Sequence, residues 1–298
     1  MSLMAEPFPM ENLRGAVLMT VAMLGFAVED VLIKLLADRL PGWEIMLFLG
    51  AGAATIFAVL TRASGRRLWT RGYLRRPVLI RNGGELVSSF SMIMALALAP
   101  LSVASAILQA NPLLVTLGAA IFLGEPVGWR RWGAILVGFV GVLLVVQPGG
   151  AGFEAPALFA VAAAISLAVR DLATRVIARE TTSFQVSFLA FALQVPSALI
   201  LSTVMAEPFV RPDMADGLKL VGVVALGAVS YHALVSAMRA GEVSFVTPFR
   251  YTRILFALGF AFVVFSERPN GLMLFGTGII VASGIYTLWR ERKHRLKA

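Results

Sequence analysis

The 298-residue chain contains no cysteine and only two histidines, His232 and His294. Disulfides and thiolate metal sites are therefore excluded, and little material remains for any other metal centre. Charge is scarce as well. Asp, Glu, Lys and Arg make up 14% of the residues, against about 25% in an ordinary soluble domain. There is no GxxxxGK[ST] loop to cradle phosphates, so direct use of ATP is not expected. Paired-histidine metal motifs and glycine-flanked serine elbows are also absent, which removes the usual signs of an intramembrane enzyme. No cofactor is expected. The first twelve residues lack the basic segment and small-residue cleavage site of a signal peptide, so the first apolar run is read as retained.

What the chain does contain is apolar length: 58% of it is hydrophobic, with a mean hydropathy of +0.83. A membrane helix needs about 20 apolar residues. The runs predict ten spans, at 13–37, 43–61, 77–99, 101–123, 129–147, 154–178, 183–205, 217–239, 243–265 and 270–290, leaving almost nothing for a soluble domain. The expected fold class is an all-α integral membrane protein in contact with a lipid bilayer. Net charge is +9 and the pI near 10.8. The basic residues stand in short blocks between apolar runs, as in cytoplasmic loops, so no nucleic-acid partner is expected. With both termini in the cytoplasm, 17 Lys and Arg fall on the cytoplasmic side and 4 on the other. The block Arg62–Arg76 dominates that bias and suits contact with anionic lipid.

One stretch occurs twice. Phe26–Ala37, FAVEDVLIKLLA, returns as Leu167–Ala178, LAVRDLATRVIA, 141 positions later. Asp30 falls on Asp171, Lys34 on Arg175, and Glu29 on Arg170. Trp43-Glu44-Ile45 falls on Phe184-Gln185-Val186 at the same offset, and Leu101-Ser102 on Val243-Ser244 at 142. Gly124-Glu125 matches Ser266-Glu267 at 142, and Gly133 and Gly141 match Gly276 and Gly284 at 143. The repeats are placed at 13–147 and 154–290. Five spans per repeat is an odd number, so the second copy must cross the bilayer in the opposite sense. Inverted repeats suit transporters, whose solute sites lie near the midplane between the halves.

These features resemble the drug/metabolite transporter superfamily and, within it, the EamA family. The resemblance rests on Phe26-Ala27 with Asp30 and Lys34, and on the small-residue helix ending in Leu123-Gly124-Glu125-Pro126 before a glycine-spaced helix. In the second half Arg268-Pro269 stands where Glu-Pro would be expected. The resemblance covers nearly the whole chain and is greatest to the bacterial amino acid exporters of the family, including those for aromatic amino acids. It implies an inner-membrane exporter of small organic solutes, most simply amino acids, working by alternating access. Another metabolite or a drug-like cation is the alternative solute. Oligomeric state is left open, a monomer being sufficient.

Charges inside apolar runs are costly and face protein or a wet cavity. Asp30–Lys34 and Asp171–Arg175 have the i, i+4 spacing of helical ion pairs. They either make insertion tolerable or act as latches of the outer and inner gates. Arg250 and Arg253 lie roughly 10–15 Å into the ninth span at about 1.5 Å per residue. Arg253 is too deep to snorkel and is the expected ligand for a solute carboxylate, or else has a permanent partner in Glu85 or Asp171. Glu85 is expected either to pair with Arg81 or to hold an ammonium group or a proton. Gln109 and Asn111 precede Pro112, which frees the Leu108 carbonyl, and Pro248 does the same in the ninth span. These groups suit an ammonium, and Tyr231 suits the solute side chain. His232 is either a proton shuttle or an ordinary hydrogen-bonded histidine. Trp43 is expected to be an interfacial anchor. Ala134/Gly138 and Gly278/Ala282 have the spacing of close helix packing.

Overall fold

The computed structural model describes residues 10–124, 128–148, 154–175, 182–240 and 243–295. Every regular element in them is helical: α1 (Met10–Ala37), α2 (Gly42–Ala63), α3 (Arg76–Leu98), α4 (Leu101–Leu108), α5 (Asn111–Phe122), α6 (Trp129–Val146), α7 (Ala157–Arg175), α8 (Ser183–Met205), α9 (Met214–Ala240), α10 (Val243–Val246), α11 (Thr252–Phe265) and α12 (Gly271–Arg295). Eight segments are long and apolar enough to cross a membrane, α4 and α5 counting as one. Two expected spans are not among them: α3, which carries Arg81 and Glu85, and α6, whose apolar stretch is only Trp132–Val146. Rows of exposed apolar side chains, such as Leu136, Val140 and Leu143 on α6 and Phe262 and Val263 on α11, form the outer surface. A bilayer is the solvent that such a surface fits.

The two prolines act as anticipated. Pro112 has no N–H to return to the Leu108 carbonyl, and α4 stops at Leu108. Gln109 and Ala110 then donate three residues back, to Ala106 (3.2 Å) and Ile107 (3.0 Å), before α5 begins. At Pro248 the single turn α10 passes into a 3-10 segment, Thr247–Tyr251, before α11. Both breaks lie inside the bundle, where irregular backbone is tolerated.

The principal partnerships are α1 with α9, α3 with α7, α2 with α8, and α6 with α12. Exchanging the halves turns α1–α9 into α7–α3 and α1–α11 into α7–α5, and leaves α2–α8 and α6–α12 unchanged. The packing thus repeats the sequence duplication. Where α6 meets α12, a Cβ on Gly276 would sit 2.7 Å from the Gly141 carbonyl oxygen. Only glycine permits that approach. Of the expected small pairs, Gly138 packs on Leu113 and Ser283, but Gly278 has open space beside it.

The end of the bundle away from the termini is tied between halves. Glu267 accepts hydrogen bonds from the N–H groups of Leu101 (2.7 Å) and Ser102 (3.0 Å) and from the Ser102 hydroxyl (2.6 Å). It thereby caps α4 from the opposite half. Glu125, its counterpart in the first half, lies outside the described residues. Trp43 is not an interfacial anchor. It is buried against Phe209, because the segment before α9 folds over the start of α2 and Val210 N–H donates to Glu44 (3.0 Å).

Candidate functional site

A cavity of about 240 Å³ lies among α1, α2, α3, α7, α8, α9 and the two helix breaks. Its wall contains Glu29, Asp30, Arg81, Glu85, Arg170, Arg250 and Arg253, with Gln109, Asn111, Ser187 and Tyr231 between them. Phe26, Leu49, Phe57, Ile93 and Phe191 supply apolar surface. Convergent charges on an apolar wall are the usual form of a small-molecule site.

The charges are joined in a definite way. Arg253 places Nη2 at 2.9 and 2.7 Å from the two carboxylate oxygens of Asp30, with Nε 3.3 Å from Oδ2. The guanidinium also lies over the Phe26 ring, 5.4 Å from its centroid. Asp171 receives Arg170 Nε (2.9 Å) and Nη2 (2.7 Å) on Oδ1 and Asn111 Nδ2 (3.0 Å) on Oδ2. Arg170 Nη1 also reaches Glu85 (3.2 Å), which Arg81 approaches to 3.6 Å. Asn111 and Arg253 stand 142 positions apart, almost the separation of Asp171 and Asp30. The two Asp contacts between halves are therefore repeat equivalents, one made by Arg and the other by Asn.

Several expected contacts are replaced. Asp30 does not pair with Lys34. Lys34 Nζ donates to the carbonyls of Leu96 (3.2 Å) and Ala99 (2.6 Å) at the C-terminal end of α3, and lies over Phe265. Free carbonyls at a helix end attract a cation, and a buried carboxylate is better matched by a two-pronged guanidinium than by a single ammonium. Arg253 is accordingly paired in this structure, and its partner is Asp30 rather than Glu85 or Asp171. Glu85 does pair with Arg81, as its spacing implied, but also binds Arg170. The side chain of Arg175 lies outside the described residues. Gln109 donates to the Arg250 carbonyl (3.4 Å), and Tyr231 accepts from Ser187 (3.1 Å) while meeting the Phe57 ring edge-on. His232 is exposed, away from the cavity wall, with Nε2 3.5 Å from Ser236 Oγ. Position 232 is one residue, hence about 100°, round α9 from Tyr231.

Sequence reasoning missed Glu29 and Arg170 as wall residues. Their signal was the charge reversal at one repeat position, where Glu29 falls on Arg170. No cluster of metal-binding side chains occurs among the described residues.

The profile of the EamA-like transporter family matches residues 13–147 and 155–289. The chain is 24% identical to an S-adenosylmethionine uptake transporter of Rickettsia bellii, over 92% of each chain. It is 27% identical to a riboflavin transporter of Vibrio cholerae, over 95% of this chain and 96% of that one. It is 29% identical to a pseudopaline exporter of Pseudomonas aeruginosa, over 94% of this chain and 97% of that one. A solved crystal structure superposes with a TM-score of 0.66 at 20% identity, covering 95% of this chain and 99% of that one. That likeness concerns the fold.

Proposed function

Given that the chain belongs to the EamA-like transporter family, we propose that it is a secondary transporter of a small polar metabolite. The observation that carries this reading is the cavity wall itself. It holds four arginines and three carboxylates, with Asp171 bonded to one of the arginines, at helix breaks inside an apolar bundle. Such charges are expensive in a membrane unless they line a path for a polar solute. We read the chain as ten crossings in two inverted halves of five, α4–α5 and α10–α11 each making one broken crossing. The termini face the cytoplasm and the protein resides in a bacterial inner membrane. The halves rock about the cavity so that it opens to each side in turn, and net direction follows the solute gradient and any coupled ion.

The relatives named above carry S-adenosylmethionine, riboflavin and pseudopaline. These names favour a metabolite over a plain amino acid, the solute first implied by the resemblance. Arg253 is bound to Asp30, so in this reading it braces the cavity, while Gln109, Tyr231 and the remaining charges meet the solute. The test is counterflow in proteoliposomes of purified protein, using labelled S-adenosylmethionine, S-adenosylhomocysteine, riboflavin and phenylalanine. Accumulation of at least one, abolished by excess of the same unlabelled solute, is expected. Liposomes that exchange none of them would overturn the reading.

A further inference from the structure

Two of the cavity's charges are left over when its ion pairs are assigned. Asp30 is taken by Arg253, and Glu85 and Asp171 are taken by Arg170 and Arg81. Among the described residues, no cation pairs with Glu29 and no carboxylate pairs with Arg250, although both side chains line the cavity. Glu29 adjoins Asp30 on α1, and Arg250 is one helical turn before Arg253, so the Asp30–Arg253 bridge holds the two free charges in place without joining them. Gly227 on α9 makes room for one of them: a Cβ there would lie 2.9 Å from Glu29 Oε1. A lone charge in a low-dielectric site is costly, and two of opposite sign that do not meet leave that cost unrelieved on both sides.

We propose that Glu29 and Arg250 are the two poles of the solute site, and that the transported class is a zwitterion bearing an ammonium and a carboxylate. The ammonium is held at Glu29 and the carboxylate at Arg250. A solute with both groups neutralises both residues at once, whereas a solute with one leaves the other pole bare. Arg250 presents a two-pronged donor to the carboxylate, and Glu29 accepts from the ammonium. The remaining wall, Phe26, Phe57, Phe191 and Tyr231, accommodates the rest of the molecule. The inference rests on the transporter reading above and narrows its solute.

Counterflow in proteoliposomes tests it with two series: phenylalanine, phenylalaninamide and N-acetylphenylalanine; and S-adenosylhomocysteine, its decarboxylated amine, its N-acetyl acid and neutral methylthioadenosine. The parent should exchange a zwitterion roughly 10- to 100-fold faster than its singly charged or neutral analogues. Glu29→Gln should reduce zwitterion exchange to the rate of the N-acetyl acid, and Arg250→Gln should reduce it to the rate of the amine. Glu29→Asp and Arg250→Lys, which keep the charges, should keep the parental order, and thermal unfolding of each variant identifies any that misfold. A parent that moves riboflavin or methylthioadenosine as fast as any zwitterion overturns the inference while leaving transport intact. So do folded neutral variants that retain the parental order. If the parent moves no solute of either series, no riboflavin and no S-adenosylmethionine, the transporter reading itself fails.

Discussion

Arg253 and Asp30 illustrate how a buried charge is tolerated: their side chains are 18% and 5% exposed and share three hydrogen bonds. Removing one partner strands the other in the bundle, which costs about 3–5 kcal/mol, while removing both costs far less. Arg253→Gln should therefore be destabilised by about that amount, and Asp30→Asn/Arg253→Gln should recover much of the loss. A double-mutant cycle of chemical unfolding in detergent measures this; additive single effects would show that the pair is not coupled. The same contact explains why i, i+4 spacing misled at Asp30. The spacing identifies a neighbour on the same helix, but the carboxylate is bound by a group 223 positions away that offers a better-matched donor.

Helix ends carry the ties between segments. At the start of α9, Asp213 accepts the Asp216 N–H (2.8 Å) and pairs with Arg39, which also lies 2.9 Å from Asp216. The Asp216 N–H and the Arg39 guanidinium hold the Asp213 carboxyl below its ordinary range. Because the folded value lies below the unfolded one, this clasp contributes fully above the unfolded value and is lost as pH falls through the depressed one. Unfolding temperature should drop on acidification below about pH 4, and Asp213→Asn should flatten that part of the profile. A variant curve parallel to the parental one would exclude Asp213 as a source of the acid dependence. Glu267 makes the larger tie, three hydrogen bonds that cap α4 from the other half. Glu267→Ala should cost about 1–3 kcal/mol and loosen that end of the bundle. With no native cysteine, an Ala99→Cys probe should label roughly tenfold faster in that background, as about 1.4 kcal/mol implies. Unchanged labelling would make Glu267 a local cap only.

In the whole molecule, Asp30 and Asp171 occupy equivalent places but opposite ends: Asp30 lies nearer the end away from the termini, and Asp171 nearer the other. Each ties its own half to the opposite half, through Arg253 and Asn111 respectively. Under alternating access, Asp30→Asn should favour opening away from the cytoplasm, and Asp171→Asn opening toward it. Single-cysteine labelling in the two vestibules should shift roughly tenfold in opposite directions, since about 1.4 kcal/mol is enough for a tenfold change in population. Equal labelling in both variants would reduce the contacts to structural pairs. Reporter fusions at both ends should report cytoplasmic termini; an external C-terminus would contradict the inverted arrangement.

The helical membrane class, the duplication and the proline breaks were legible because each is written along the chain. Apolar run length, a recurring offset and a missing N–H need no knowledge of what lies opposite. Glu85 with Arg81 was legible for the same reason, being a neighbour on one helix. The partners of Asp30, Lys34 and Asp171 were not, nor was the covering of Trp43, since these depend on which helices meet. Most of all, tertiary packing decided which charges cancel. Counting acids and bases along the chain cannot reveal that Arg253 is satisfied and Arg250 is not. Whether the cost of desolvation is offset depends on the distance to an opposite charge in the folded bundle, and that distance is set by the crossing of α1 with α11 and of α7 with α5.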